Sequence, residues 1–259
     1  MTRAKTGKSR PAGPPPVRYV ALGDSMSIDR YPSIDLVERS PAGAGPLFVE
    51  YPVGAASLFH RNESTYWPEF EGRDLATLYP GITSINLASD GASLGDVFGE
   101  QLPAVEASDD RVLVTLTIGG NDLLSAVAGQ PGATVMRRVV NDVAEGYRAI
   151  VGAIREKLPR SLLLVTTIYD PTDRTARLPG VFPDFDKVPL VHLDTLNEAI
   201  RETADGNDIR VAEVYGHFLG HGVTAPEKDR WYWSGSLIEP GAAGASEIRR
   251  VWLDAVEGT

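Results

Sequence analysis

The stretch VRYVALGDS, residues 17–25, ends an apolar run with glycine, aspartate and a serine. Ser25 there is either a nucleophile or the opening of a helix. A nucleophile needs a base for its proton and donors for the negative charge that its attack creates. Other residue types could supply these. Gly119-Gly120-Asn121-Asp122 places a side-chain amide in a Gly-rich turn, and Gly91 lies in the turn-forming stretch Ala88-Ser89-Asp90-Gly91-Ala92-Ser93. The imidazoles His60, His192, His217 and His221 are the chain's four candidates for a base near neutral pH. There is no cysteine, which excludes thiolate chemistry and disulfides.

These residues need elements to hold them together. Five short apolar runs read as buried strands: 17–22, 83–87, 111–118, 161–168 and 209–214. Helical spacing fills 133–157, through Val135, Val139, Val143, Tyr147, Ile150, Val151 and Ile154, and also 189–204 and 241–256. Strands that alternate with helices predict a parallel sheet covered on both faces. Ligands of such sheets bind beyond the carboxyl ends of the strands, where Ser25, Gly91 and Asn121 fall. The connection from Ser25 to Thr83 is too long for an ordinary βα loop. It is read as an insert at about 28–80, with a helix near 68–78 and a Glu69–Arg73 pair. That insert is either a lid or substrate-shaping element, or a packed decoration.

Composition narrows the partners. Lys plus Arg number 25 and Asp plus Glu 35 in 259 residues, giving a net charge of −10. That balance argues against nucleic acid or an anionic membrane surface. The one basic cluster, Arg3, Lys5, Lys8 and Arg10, lies in a Pro-rich leader over 1–16 that reads as disordered. Residues 17–259 read as one domain. The leader lacks an apolar h-region, and no apolar run approaches the ~20 residues that span a bilayer. A cytoplasmic location without membrane insertion is therefore expected.

Together, Gly23-Asp24-Ser25, the stretch around Gly91 and Gly119-Gly120-Asn121-Asp122 resemble the SGNH (GDSL-type) hydrolase family. The resemblance covers nearly the whole chain from residue 17. It implies a three-layer α/β/α, flavodoxin-like fold with a five-stranded parallel sheet in the order 2-1-3-4-5. It also implies that Ser25 attacks an ester carbonyl while the Gly91 N–H and the Asn121 amide hold the oxyanion. A serine at a strand-to-helix turn fits this, its own N–H being at a helix N-terminus where negative charge is favoured. Ser93 is a rival nucleophile, since Gly91-Ala92-Ser93-Leu94-Gly95 fits the G-x-S-x-G elbow of α/β-hydrolases. That elbow normally follows a strand late in the sheet, whereas Ser93 follows only the second.

The family's last block, D-x-x-H-P, is where this chain departs. Ser236-Leu237-Ile238-Glu239-Pro240 puts serine at the aspartate position and glutamate at the histidine position. Pro240 reads as the first helical residue, which would make Glu239 the N-cap, ionised and a poor base. The base is then sought in GHFLGHG, past the fifth strand. His221, or else His217, would take the proton and Glu239 would orient the ring, an atypical triad. From Val214 an extended chain could carry His221 about 24 Å, against three strand spacings, about 14 Å, to Ser25.

The expected protein is an ester hydrolase acting on an acyl or acetyl ester of a small molecule through an acyl-Ser25 intermediate, without metal or organic cofactor. Two other readings remain. One is a binding module that kept the serine and lost the base. The other is a metal-dependent phosphoesterase built on Asp24, Asn121 and His221, although the chain lacks the closely spaced ligands that such sites need.

Overall fold

The computed structural model of the chain describes residues 14–39, 52–129, 132–178, 190–204 and 208–258. The strands are β1 (Arg18–Gly23), β2 (Thr83–Asn86), β3 (Val112–Thr117), β4 (Leu162–Thr166) and β5 (Ile209–Ala212). All pair in parallel, in the order β2-β1-β3-β4-β5 that the family resemblance implies. Between β1 and β2 run α1 (Arg30–Glu38), α2 (Ala55–His60) and α3 (Leu75–Leu78). After β2 come α4 (Leu94–Asp96), a π-turn over Val97–Gln101 and α5 (Leu102–Ala104). Then follow α6 (Gly120–Ala128) and α7 (Ala133–Lys157) after β3, α8 (Leu190–Glu202) after β4, and α9 (Val214–Phe218) after β5. A hairpin of β6 (Tyr232–Trp233) and β7 (Ser236–Pro240) precedes the closing helix α10 (Ala242–Glu257).

Successive strand residues point to opposite faces, so the sheet separates two cores. Val20, Leu22, Val114 and Leu116 pack against Tyr147, Ile150 and Leu196 from α7 and α8. Tyr19, Ala21, Leu113 and Leu164 pack against Phe59, Phe70, Ile248 and Trp252 from α2, the turn before α3, and α10. The described part of the long insert thus joins the second core as a packed layer. A buried arginine fastens it: Arg249 of α10 donates to Asn62 Oδ1 at 2.6 Å, and its guanidinium lies 3.5 Å from the centroid of the Phe70 ring.

Several sequence expectations are corrected. The run at 83–87 is an exposed edge strand rather than a buried one, because only β1 flanks it. The helix expected at 68–78 is a 3₁₀ turn, Pro68–Phe70, followed by the single turn of α3, which Asp74 caps by accepting from the Thr77 N–H. Arg73 pairs with Asp254 and Glu257 of α10, not with Glu69. Helix α7 has the expected bounds, but Met136 and Val140 supply its inward face near the start while Val135 is exposed. Pro240 ends β7, and the N-cap of α10 is Gly241. Asp35 of α1 displaces the expected cap by accepting from the Ala242 N–H at 2.9 Å. A Cβ on Gly241 would stand 2.5 Å from that carboxylate, so the close approach requires glycine. The basic cluster of the leader lies outside the described residues.

Candidate active site

The turn carrying Ser25 is built by close approach of β1 to β3. Gly23 has φ +128°, and a Cβ there would sit 1.8 Å from the Thr117 carbonyl oxygen, so no other residue fits. The Asp24 N–H donates to that same oxygen at 2.8 Å. The Asp24 carboxylate accepts from the Met26 N–H at 3.1 Å, and the Ser27 and Thr117 hydroxyls lie 2.8 Å apart. Ser25 therefore sits in a tight turn, not at a helix N-terminus as expected; α1 begins only at Arg30. Its side chain is largely buried, and it faces a pocket.

Hydrogen bonds tie the three strand-end blocks together. The Ser89 N–H donates to Gly23 O at 3.1 Å. Gly91 turns the chain with φ +69°, a left-handed conformation that favours glycine. Asn121, in the first turn of α6, donates through Nδ2 to Ala92 O at 2.9 Å. An amide nitrogen carries two hydrogens, so one N–H remains beyond that bond. The Leu94 N–H donates to the Asp122 carboxylate at 3.2 Å. Ser93 is the N-cap of α4 in a capping box, its hydroxyl donating to Asp96 at 2.7 Å, and it does not line the pocket.

Gln101 belongs to this frame, and nothing in the sequence singled it out. From the π-turn its buried amide accepts from the Gly23 N–H and donates to Gly23 O, both at 2.8 Å. π-turns often mark functional sites. This one swings a glutamine under the residue two positions before Ser25.

Glu239, at the end of β7, lines the same pocket as Ser25 and Asn121. The Tyr169 hydroxyl fixes that strand by donating to Ile238 O at 2.7 Å. Burial raises the Glu239 pKa above the usual 4.5, with Asp90 adding to the rise; the Ser25 hydroxyl and the Arg30 charge oppose it. One carboxylate oxygen, Oε2, is buried and has no hydrogen-bond partner. The low pKa expected from a helix-capping position is thus corrected, because Glu239 stands on β7, outside the helix, and is partly buried. Asp24 is also pushed up, to about 7, by burial above all and by the nearby Glu239 charge.

The structure does not bring His217 or His221 to Ser25. Helix α9 turns the chain back after β5, with Phe218 buried among Tyr169, Trp231 and Tyr232. His217 Nε2 lies 2.8 Å from Glu247 Oε2. The His221 ring stacks on Trp231 at 3.6 Å, with Nδ1 3.2 Å from Asp229 O. Asp173 clamps the loop beyond by accepting from the N–H groups of Gly220, Gly222 and Thr224. His60 Nε2 lies 3.5 Å from Ile82 O and does not line the pocket. His192 of α8 does line the pocket, and burial lowers its pKa. The sequence placed it on a helix without assigning it to the site.

The pocket is lined mainly by apolar side chains, among them Leu123, Leu124, Val127, Ile168, Leu190 and Leu193; Ser25, Asn121 and Glu239 line it together with the polar Asp24, Asp170, Thr172 and His192. No described residue between 30 and 80 lines it. Among the described residues, no three His, Cys, Asp or Glu side chains are grouped so as to hold a metal ion. No described helix is long and apolar enough to cross a membrane.

Residues 21–246 match the profile of the GDSL-like lipase/acylhydrolase family. Solved structures share the fold at low identity. Lipase Lip_vut3 from a goat rumen metagenome is 19% identical, with 92% of this chain and 97% of that one covered and a TM-score of 0.56. Phospholipase A1 from Streptomyces albidoflavus NA297 is 21% identical, with 93% and 99% covered and a TM-score of 0.53. Axe2, an acetylxylan esterase from Geobacillus stearothermophilus, is 16% identical, with 92% and 93% covered and a TM-score of 0.56. No curated protein matches the sequence.

Proposed function

Since the chain belongs to the GDSL-like lipase/acylhydrolase family, we propose that it hydrolyses carboxylic esters through an acyl-Ser25 intermediate, with an aliphatic acyl chain seated in the apolar pocket. One observation carries this reading: Ser25 and Asn121 stand together at an apolar pocket on the strand-end edge of the sheet. Ser25 Oγ attacks the ester carbonyl. The second N–H of Asn121, with the backbone N–H groups of Gly91 and Ser25, receives the charge on the carbonyl oxygen as the tetrahedral intermediate forms. Collapse expels the alcohol, and water then releases the acid from Ser25. Lipase, phospholipase and acetylxylan esterase are the activities that the structural neighbours' names carry. The leucine-rich lining favours a long acyl group over an acetyl group, which would leave most of that surface uncovered.

The test is a series of p-nitrophenyl esters from acetate to decanoate. Each methylene that enters the pocket contributes about 0.8 kcal/mol, about fourfold in kcat/KM, so activity should climb with chain length until the pocket is full. Val127→Phe, which fills the pocket, should move the optimum to shorter chains. Ser25→Ala should abolish hydrolysis of every ester. Acetate as the best substrate, with a steady fall thereafter, would favour an acetyl esterase. Absence of turnover on all of them would favour the binding-module reading. Loss of activity with EDTA would favour the metal-dependent one.

A further inference from the structure

We propose that Glu239 itself takes the proton from Ser25, so that the nucleophile works with a carboxylate and without an imidazole. The proposal rests on the reading of Ser25 as nucleophile. Its ground is geometric. Glu239 and Ser25 line the same pocket, and the nearby Ser25 hydroxyl opposes the rise in the Glu239 pKa. Oε2 is shielded from solvent and accepts no hydrogen bond. A buried acceptor left unpaired costs the fold stability and returns nothing to it. Such an atom is well placed for a proton that arrives only during reaction. The two expected bases are meanwhile engaged elsewhere, His217 with Glu247 and His221 with Trp231 and Asp229 O.

The surroundings favour this chemistry. An exposed glutamate is too weak a base near neutral pH, and burial strengthens it by disfavouring the charged form. The charged and titratable groups around it come from several elements. Asp90 after β2 adds negative potential and Arg30 of α1 opposes it, while Asp24, just past β1, has its own pKa raised to about 7 by burial and by the Glu239 charge. The Tyr31 and Tyr169 phenols are both held neutral by burial and by nearby acidic groups. His192 of α8 lines the pocket with its pKa lowered. The net influence keeps Glu239 more basic than a free carboxylate.

The proton balance closes without a third group. Glu239 carboxylate accepts the Ser25 Oγ proton as Oγ bonds to the carbonyl carbon. The resulting carboxylic acid gives that proton to the alkoxide as the carbon–oxygen bond to the alcohol breaks. In deacylation Glu239 takes a proton from the attacking water and returns it to Ser25 Oγ as the acid departs.

The experiment measures p-nitrophenyl butyrate hydrolysis across pH 4–9 for wild type and for Ser25→Ala, Glu239→Gln, Glu239→Ala, His192→Gln and the double variant His217→Ala/His221→Ala, with folding checked by circular dichroism. Glu239→Gln should lower kcat/KM by about 10²–10⁴, the usual contribution of a general base. The double histidine variant should stay within twofold of wild type. Formate, a small carboxylate, should restore part of the rate to Glu239→Ala and none to Ser25→Ala, a readout that a purely structural glutamate would not give. The wild-type rate should fall as acid protonates a group with a pKa above 4.5, and His192→Gln should leave that midpoint in place. An active Glu239→Gln beside an inactive Ser25→Ala would overturn the proposal and spare the nucleophile. An acid limb that disappears in His192→Gln would overturn it in favour of that imidazole. Activity surviving in Ser25→Ala would sink the nucleophile reading itself.

Discussion

Gln101 holds the backbone from which the Ser25 turn departs, and replacing it with leucine isolates its contribution. The side chain is 4% exposed and makes two 2.8 Å bonds to Gly23, one to the N–H and one to the carbonyl. Leucine has a similar volume and makes neither. The carbonyl is not orphaned, since the Ser89 N–H still donates to it at 3.1 Å. The Gly23 N–H is stranded in the core, at about 1–3 kcal/mol, and the lost bond to the carbonyl adds about 0.5–1.5 kcal/mol. Gln101→Leu should therefore lose about 2–4 kcal/mol in urea unfolding. At temperatures where the variant remains folded, kcat should drop about tenfold or more with little change in KM, because a displaced nucleophile loses alignment rather than binding. Gln101→Glu sharpens the test. Its carboxylate accepts from the Gly23 N–H but, once ionised, faces the carbonyl without a donor. Its folded-state pKa should be raised, so this variant should be most stable in acid and lose stability as pH rises. A stability loss below about 0.5 kcal/mol with unchanged kcat in Gln101→Leu would refute the reasoning.

Asp24 sets a pH dependence. Its folded pKa is raised from 3.8 to about 7, so the protonated carboxyl stabilises the fold below 3.8 and that contribution is lost as pH rises to about 7. Urea unfolding of wild type should show stability declining across this window, by an amount on the order of a few kcal/mol, and Asp24→Asn should flatten the decline; parallel profiles for the two proteins would contradict it. Ser93→Ala should cost about 0.5–2 kcal/mol through the lost cap of α4 and leave ester hydrolysis within twofold. A fluorophosphonate probe that labels Ser93 while sparing Ser25 would reverse the assignment.

The strands were legible in the sequence because each is a local apolar run followed by Gly, Asp or Pro, and the strand-end blocks around Ser25, Gly91 and Asn121, whose resemblance implied the strand order, are short and contiguous. Helix α7 was legible for the same kind of reason, its periodicity being long enough to average out local exceptions such as Val135. Where the partner is remote, the local pattern misled. Arg73 had Glu69 four residues away and pairs instead with α10, which tertiary packing brings beside it. Pro240 reads as a helix start, but Asp35, distant in sequence, caps α10 from α1 and leaves Glu239 on a strand. Reach along the chain allowed His221 to approach Ser25. Burial of Phe218 and stacking on Trp231 held it elsewhere, because an apolar anchor three residues away outweighs mere reach. Sequence alone therefore determined the strands, the helices of long period and the chemical types gathered at the sheet edge. Only the tertiary structure decided which carboxylate faces the serine and how dry that carboxylate is, since burial and pKa depend on every element packed around a group and not on its neighbours in the chain.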